Sequence, residues 1–340
     1  MKLDTGYLGL KLRNPLVASA GPMTQTADRI ARLAEAGVGA VVLPSLFEEQ
    51  IRAEADRDER LAEAGTDSFG EAMTYLIDPD ASIWPRRYLS LIERAAGSGI
   101  PVIASLNGST PGGWTDYARA MQDAGAAAVE LNIYYLPSDP PPTSPSPFIP
   151  GRDAEQRYVD ILTTVKAVVS IPVAVKLNPY FSSLGEMAVR LDRAGADGLV
   201  LFNRFMQTDI NPQTLTVSAG FELSSPAEAT LGRSWIARLR GHMHASLAAS
   251  TGVETADDIA AYLLAGADVV MTTSSLLRHG PAHVTVLLDG LRAWMERKGF
   301  GSTDEVRGMF AAAANASQSY FGRVGYLSAI ERATRTYAPQ

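Results

Sequence analysis

Short apolar runs alternate along this chain with longer stretches in which apolar residues recur at every third or fourth position. The short runs read as strands: Leu16–Ser19, Ala40–Leu43, Val102–Leu106, Ala128–Leu131, Val173–Leu177, Gly198–Phe202, Ser246–Ala249 and Val269–Met271. Between most of them the spacing predicts helices, among them Thr26–Ala36, Trp114–Ala124, Ser183–Ala194 and Thr255–Ala265. These four helices end in nearly the same words: Ala36-Gly-Val-Gly-Ala, Ala124-Gly-Ala-Ala-Ala, Ala194-Gly-Ala-Asp-Gly and Ala265-Gly-Ala-Asp. Each glycine can take the left-handed conformation that caps a helix, and the small residues let the chain turn into the next strand. The pattern is a βα repeat, and eight strands predict an α/β fold closed into a (β/α)8 TIM barrel. An open doubly wound sheet is the alternative, disfavoured because no Gly-x-Gly-x-x-Gly follows the first strand.

Two stretches break the rhythm. Residues 47–88 begin charged and helix-like and then become rich in Asp, Pro and aromatic residues. Residues 137–150 contain Pro140-Pro-Pro and cannot form regular structure. Both follow the C-terminal end of a strand, so both are expected to overhang the barrel mouth, as lids or substrate walls. The charged helix can equally be a solvated face on the barrel's side or a dimer contact. The expected organisation is one barrel over residues 1–300 with these insertions, and a helical extension over 301–340 packed on it.

The chain has 340 residues, a formal charge of −7 and no cysteine. The charge and the lack of a dense basic run speak against a nucleic-acid partner. No apolar stretch is long enough to span a bilayer, so no membrane association and a cytoplasmic location are expected. Without cysteine, this chain can hold no disulfide, no iron–sulfur cluster on its own thiolates and no thiolate base. His279 and His283 have a spacing that could serve zinc on a helix. However, Gly280-Pro281 follows directly and no third ligand completes the set, so no metal site is expected.

The chemistry is expected at the C-terminal ends of the strands, where barrels of this kind place it. Asn132, Lys176 and Asn203 end three successive predicted strands. A buried lysine between two amides suits a flat, hydrogen-bonding, electron-accepting ring. Lys176 can instead form an ion pair inside the barrel.

In the order and spacing of these motifs the chain resembles the dihydroorotate dehydrogenase family of FMN-containing barrels, up to about Phe300. Asn14-Pro-Leu-Val-Ala-Ser19-Ala-Gly21 resembles the family's first-strand motif, whose small residues let backbone approach the flavin. Glu130-Leu-Asn132, Val175-Lys176-Leu and Phe202-Asn203 stand where the family has its flavin-side Asn, Lys and Asn. Gly252-Val-Glu-Thr-Ala-Asp-Asp and Thr272-Thr-Ser-Ser-Leu resemble the segments after the seventh and eighth barrel strands. The resemblance implies FMN as cofactor, held by Ser19, Ala20, Gly21, Asn107, Asn132, Lys176, Asn203, Ser250, Thr251, Gly252, Thr273 and Ser274. The last five would serve the phosphate. Asn107 and Asn132 can hydrogen-bond the ring or merely cap loops. It also implies a small-molecule substrate, touched by Asn132, Asn203 and Ser45, and an electron acceptor or donor of unknown identity. A homodimer is compatible with it.

In the phosphate segments Ser and Thr stand where the family often has Gly, which keeps the backbone donors but tightens the loops; the other departures fall on the substrate side. Tyr135 stands where the family has its catalytic Cys or Ser base, and a shift in alignment would put Tyr134 there. Pro137 replaces a substrate-binding Asn, and Pro44, followed by Ser45, replaces a Lys. The family's Asn-containing loop has no clear counterpart around Tyr75-Leu-Ile-Asp78. An ordinary tyrosine is a proton donor at neutral pH. Tyr135 therefore suits reduction of an activated double bond, or needs a cation such as Lys176 to act as a base; it can also simply stack. Lys176 and Tyr135 are the expected catalytic residues. Two other functions stay open: a lyase forming a Schiff base on Lys176, and a flavin-binding protein without catalysis.

Overall fold

Gly37, Gly125, Gly195 and Gly266 take φ of 108°, 99°, 95° and 118°, the left-handed region that stops a helix and reverses the chain. The four repeated Ala-Gly words therefore act as punctuation in the computed structural model, which describes residues 1–52, 84–108, 114–135, 148–204, 208–220, 222–312 and 322–337. The chain opens with an antiparallel hairpin, β1 (Thr5–Tyr7) and β2 (Leu10–Leu12). The barrel strands then follow: β3 (Leu16–Ala18), β4 (Ala40–Phe47), β5 (Val102–Asn107), β6 (Ala128–Asn132), β7 (Val173–Leu177) and β8 (Gly198–Leu201). A second hairpin, β9 (Thr208–Asn211) and β10 (Thr216–Ala219), precedes β11 (Ser246–Ala249) and β12 (Val269–Thr272). The strands close in the order β11-β12-β3-β4-β5-β6-β7-β8, all neighbours parallel. All eight expected barrel strands are present and the fold is a (β/α)8 TIM barrel.

The helices described are α1 (Ala27–Ala36), α2 (Trp84–Ala96), α3 (Thr115–Asp123), α4 (Gly151–Lys166), α5 (Leu184–Arg193), α6 (Ala229–Leu239), α7 (Ala256–Ala265), α8 (Ser274–His279), α9 (His283–Lys298), α10 (Thr303–Val306) and α11 (Arg323–Tyr337). Apolar helix faces and the outward strand residues form one large core between helices and barrel. A second cluster fills the barrel itself, where Ala40, Ala128, Ala174 and Ala248 leave room at the N-terminal end. Tyr7, Leu8 and Leu12 of the first hairpin fill that room. A Cβ at Gly198 would lie 2.4 Å from Leu8 Cδ2, so glycine is required where the plug meets β8.

Most of the two expected insertions lies outside the described residues, at 53–83 and 136–147. Pro137 and the segment Tyr75–Asp78 are therefore among the residues not described. Beyond α9 the chain returns to the barrel. Thr303 and Val306 are buried, and the amides of Gly308, Phe310 and Ala312 donate to carbonyls of Leu263, Leu264 and Ala237. α11 buries none of its residues. Among the described residues no helix is long and apolar enough to cross a membrane.

Candidate active site at the barrel rim

Strand register brings the polar residues together. Asn107 on β5 pairs with Asn132 on β6, and Asn132 pairs with Lys176 on β7, so the three form one row around the C-terminal rim. Asn203, just past β8, joins them. Its backbone N–H donates to the Leu177 carbonyl at 2.7 Å and its side-chain amide donates to Asn132 Oδ1 at 2.8 Å. Lys176 is 8% exposed, and its Nζ lies 3.5 Å from Oε1 of Glu130. The ion pair inside the barrel therefore exists, and Lys176 also faces the cavity described next.

Across the rim, the ends of β11, β12 and β3 are stitched together. The Ser19 N–H donates to the Thr272 carbonyl, and the Thr273 hydroxyl donates to the Ser19 carbonyl at 2.7 Å. A Cβ at Gly21 would meet Thr273 Cγ2 at 2.6 Å, so the loop after β3 must be this small to lie against the loop after β12. The Tyr262 hydroxyl on α7 lies 3.1 Å from the Ser250 carbonyl and 2.9 Å from that of Thr251. Burial first, and the nearby Asp258 charge against the Arg233 cation, push the ionisation of that hydroxyl well up, so it serves as a donor. Thr251 has φ of 80°, an uncommon conformation for a β-branched residue, and Gly252 follows at 71°. A Cβ at Gly252 would sit 2.7 Å from the Ala229 amide nitrogen and 2.8 Å from the Ser225 carbonyl oxygen. This is a backbone cradle that a side chain would fill.

Two supports hold the cradle from outside. Asp258 accepts from the amides of Glu254 and Thr255 and from Arg233. Burial works to raise its carboxyl, but the bonds from Thr255, Glu254 and Arg233 outweigh burial and hold it below the usual range. Glu254 is likewise held low against burial, by His279 and Arg278, which each approach it at 2.6 Å.

The cradle opens into a cavity of about 130 Å³ lined by Ser19, Ala20, Lys176, Asn203, Ser250, Thr251, Gly252, Thr273 and Ser274, with Phe202, Arg204, Leu223, Ser224, Val253, Met271 and Thr272. A larger cavity of about 1000 Å³ shares Phe202, Asn203, Arg204, Ser250 and Thr251 with it and extends beneath the β9–β10 hairpin. Asn107, Asn132 and Gly21 line neither cavity; Asn132 and Gly21 touch Asn203 and Thr273, which do, and Asn107 stands one place further along the rim row, beside Asn132.

The remaining expected residues sit apart. Ser45 Oγ lies 2.9 Å from Ser105 Oγ, in the row that continues to Glu130, one layer below the rim. Tyr135 is 7% exposed, with Arg157 stacked over its ring at 4.1 Å, and its hydroxyl is buried without a hydrogen-bond partner among the described residues. Tyr158 holds the segment leading to Tyr135: its hydroxyl donates to the Ile133 carbonyl and accepts from Asn178.

Sequence reading missed Ser224. Its N–H and hydroxyl both donate to Ser274 Oγ, and its oxygen accepts from the Gly252 amide. The available signal was Ser225-Pro-Ala-Glu228, a Ser-x-x-Glu capping box that the structure forms beside the cradle. Glu130 was read only as part of a motif, although a carboxylate two residues before Asn132 must share its inward face.

The closed barrel thus carries a lysine and amides on one side of its mouth and a close-packed glycine loop on the other. Comparison with known proteins is specific. The dihydroorotate dehydrogenase family matches residues 2–295, and the chain belongs to that family. It is 27% identical, over 90% of this chain and 98% of the relative, to the catalytic subunit of dihydroorotate dehydrogenase B (NAD(+)) of Methanothermobacter thermautotrophicus. It is 29% identical over 91% of this chain and 98% of the relative to the protein of that name in Methanocella arvoryzae. It is 23% identical over 90% of this chain and 76% of the relative to the NAD-dependent dihydropyrimidine dehydrogenase subunit PreA of Escherichia coli.

Proposed function

We propose that this chain is an FMN-dependent oxidoreductase that acts on a CH–CH bond of a small cyclic conjugated substrate. One observation carries the reading: nine of the twelve residues expected to hold FMN line a single cavity. The donor set fits the group. The first turn of α8 would offer backbone N–H groups to a phosphate beside the Gly252 loop, whose own amide is held by the Ser224 hydroxyl, while Lys176, Asn132 and Asn203 would offer charge and amides to a ring edge. When bound, FMN supplies hydride transfer at N5. Lys176 then places positive charge where reduction adds negative charge. Asn203, held through Asn132 and the Leu177 carbonyl, fixes the orientation of what lies against it.

Tyr135 is the proton-handling residue in this reading. In reduction, the substrate double bond takes a hydride at one carbon and the Tyr135 proton at the other. Its hydroxyl is buried and has no hydrogen-bond partner among the described residues, so its proton is not committed to any of them. The names of the relatives, dihydroorotate and dihydropyrimidine dehydrogenases, supply the substrate class: a dihydropyrimidine or a similar ring. The changes at Pro44, Ser45 and Tyr135 favour a substrate other than dihydroorotate. The relative's name, a catalytic subunit acting with NAD(+), favours electrons reaching the site through a carrier or a partner chain. A Schiff-base lyase is disfavoured, because the ion pair with Glu130 engages Lys176 as an ammonium whereas Schiff-base chemistry needs the amine.

The test is the absorbance spectrum of the purified protein with FMN, followed by anaerobic addition of dihydroorotate. A flavin band that bleaches supports dihydroorotate chemistry, and one that stays oxidised with dihydroorotate but bleaches with another dihydropyrimidine supports the altered substrate. A protein that takes up no FMN overturns the reading.

A further inference from the structure

Inside the barrel, one layer below the rim, lies a carboxylate that the proposed chemistry does not use. Glu130 is 1% exposed and neither of its oxygens has a hydrogen-bond partner among the described residues. Register places it level with Ser105 and Ala174, beneath the row of Asn107, Asn132 and Lys176. Its one charged neighbour among the described residues is the Lys176 ammonium at 3.5 Å. Below it stands the Tyr7 hydroxyl of the N-terminal plug, fully buried and also unpartnered. Burial first, then the charges of Glu130 and Asp268, push that hydroxyl's ionisation far up. The Glu130 charge also reaches Tyr88 on α2, after burial and the Ser105 backbone bond. A carboxylate so placed is costly unless its charge is compensated. Lys176 is the group that compensates it.

We propose that Glu130 is a positioning residue for Lys176: its carboxylate anchors the ammonium at the cavity wall and offsets part of the positive charge offered to the ligand. The proposal rests on the flavin reading for its consequence and on the ion pair alone for its structure. Removing the negative charge beneath Lys176 leaves a larger positive charge to favour a reduced, anionic ring.

Two readouts on the full chain test it. The first is the FMN midpoint potential of wild type and Glu130→Gln. The expected result is a positive shift, with the reduced form favoured about tenfold, or about 30 mV for a two-electron couple. An unchanged or more negative potential, with FMN bound, overturns the proposal. The second is thermal unfolding of Glu130→Gln, Lys176→Met and the double variant without added FMN. Removing one partner strands a buried charge, whereas removing both does not. The double variant is therefore expected to recover more than half of the stability lost in Glu130→Gln, or to fold where that variant does not. A double variant no more stable than Glu130→Gln overturns the proposal, because Glu130 would then serve the barrel independently of Lys176. If wild type takes up no FMN, the flavin reading fails, and the unfolding comparison still decides the pairing.

Discussion

The two arcs of the barrel rim are built differently. From β11 through β12 to β3 side-chain hydroxyls grip loop backbone: Thr273 holds Ser19, Tyr262 holds Ser250 and Thr251, Ser224 holds Gly252. From β4 to β6 side chains meet side chains: Ser45 meets Ser105 and Asn132 meets Asn203, while the Tyr135 hydroxyl meets no partner among the described residues. On the proposed reading the first arc would grip a phosphate through loop backbone, which tolerates little substitution, and the second would grip a substrate through side chains, which can change without disturbing the barrel. The resemblance read in the sequence carries Ser and Thr on the first arc where the family often has Gly, and breaks at Pro44, Ser45 and Tyr135 on the second.

Four substitutions would sharpen or break this contrast. Tyr135→Phe is expected to lower turnover by about 10²- to 10⁴-fold, the range for a lost acid or base, while FMN content stays at the wild-type level. Unchanged turnover, measured across pH, would remove Tyr135 from the chemistry. Gly252→Ala forces a Cβ against the Ala229 amide and the Ser225 carbonyl at positive φ. With about 1–3 kcal/mol of strain, FMN affinity should fall by about 10- to 100-fold. Fluorescence titration of FMN would show it, and wild-type affinity would mean the cradle does not hold the phosphate.

Asp258→Asn weakens bonds to the amides of Glu254 and Thr255 and to Arg233, and should cost about 2 kcal/mol at neutral pH by chemical denaturation. The folded protein holds this carboxyl below the usual range, so its contribution is present above the unfolded value of about 3.9 and is lost as pH falls through the lower folded value. The variant should therefore show a shallower loss of stability below about pH 4, and a profile parallel to wild type would contradict the assignment. Ser45→Ala takes a hydrogen-bond partner from the buried Ser105 hydroxyl and should cost about 1 kcal/mol of stability, leaving FMN binding unchanged while changing relative rates among dihydropyrimidines. A competition assay would detect the change, and identical selectivity would place Ser45 outside the substrate wall.

The barrel was legible because buried parallel strands are continuous apolar runs and because the Ala-Gly words recur where helices must stop. The N-terminal hairpin was not. Thr5–Tyr7 and Leu10–Leu12 are too short to show a period, and their burial depends on alanines far away in the chain. The β9–β10 hairpin was missed for the opposite reason: Ile210, Leu215 and Val217 are exposed, so no core imposes a pattern. Ser224 and Glu130 matter through neighbours such as Gly252 and Lys176 that the strand register and loop packing bring close.

On the proposed reading the arc from β11 to β3 binds a phosphate and the ring follows. The most direct measurement is the ratio of dissociation constants for FMN and riboflavin, which differ only in that phosphate, on protein freed of bound flavin. The account predicts that FMN binds at least about 100-fold more tightly, about 2.8 kcal/mol. Equal affinities would contradict it.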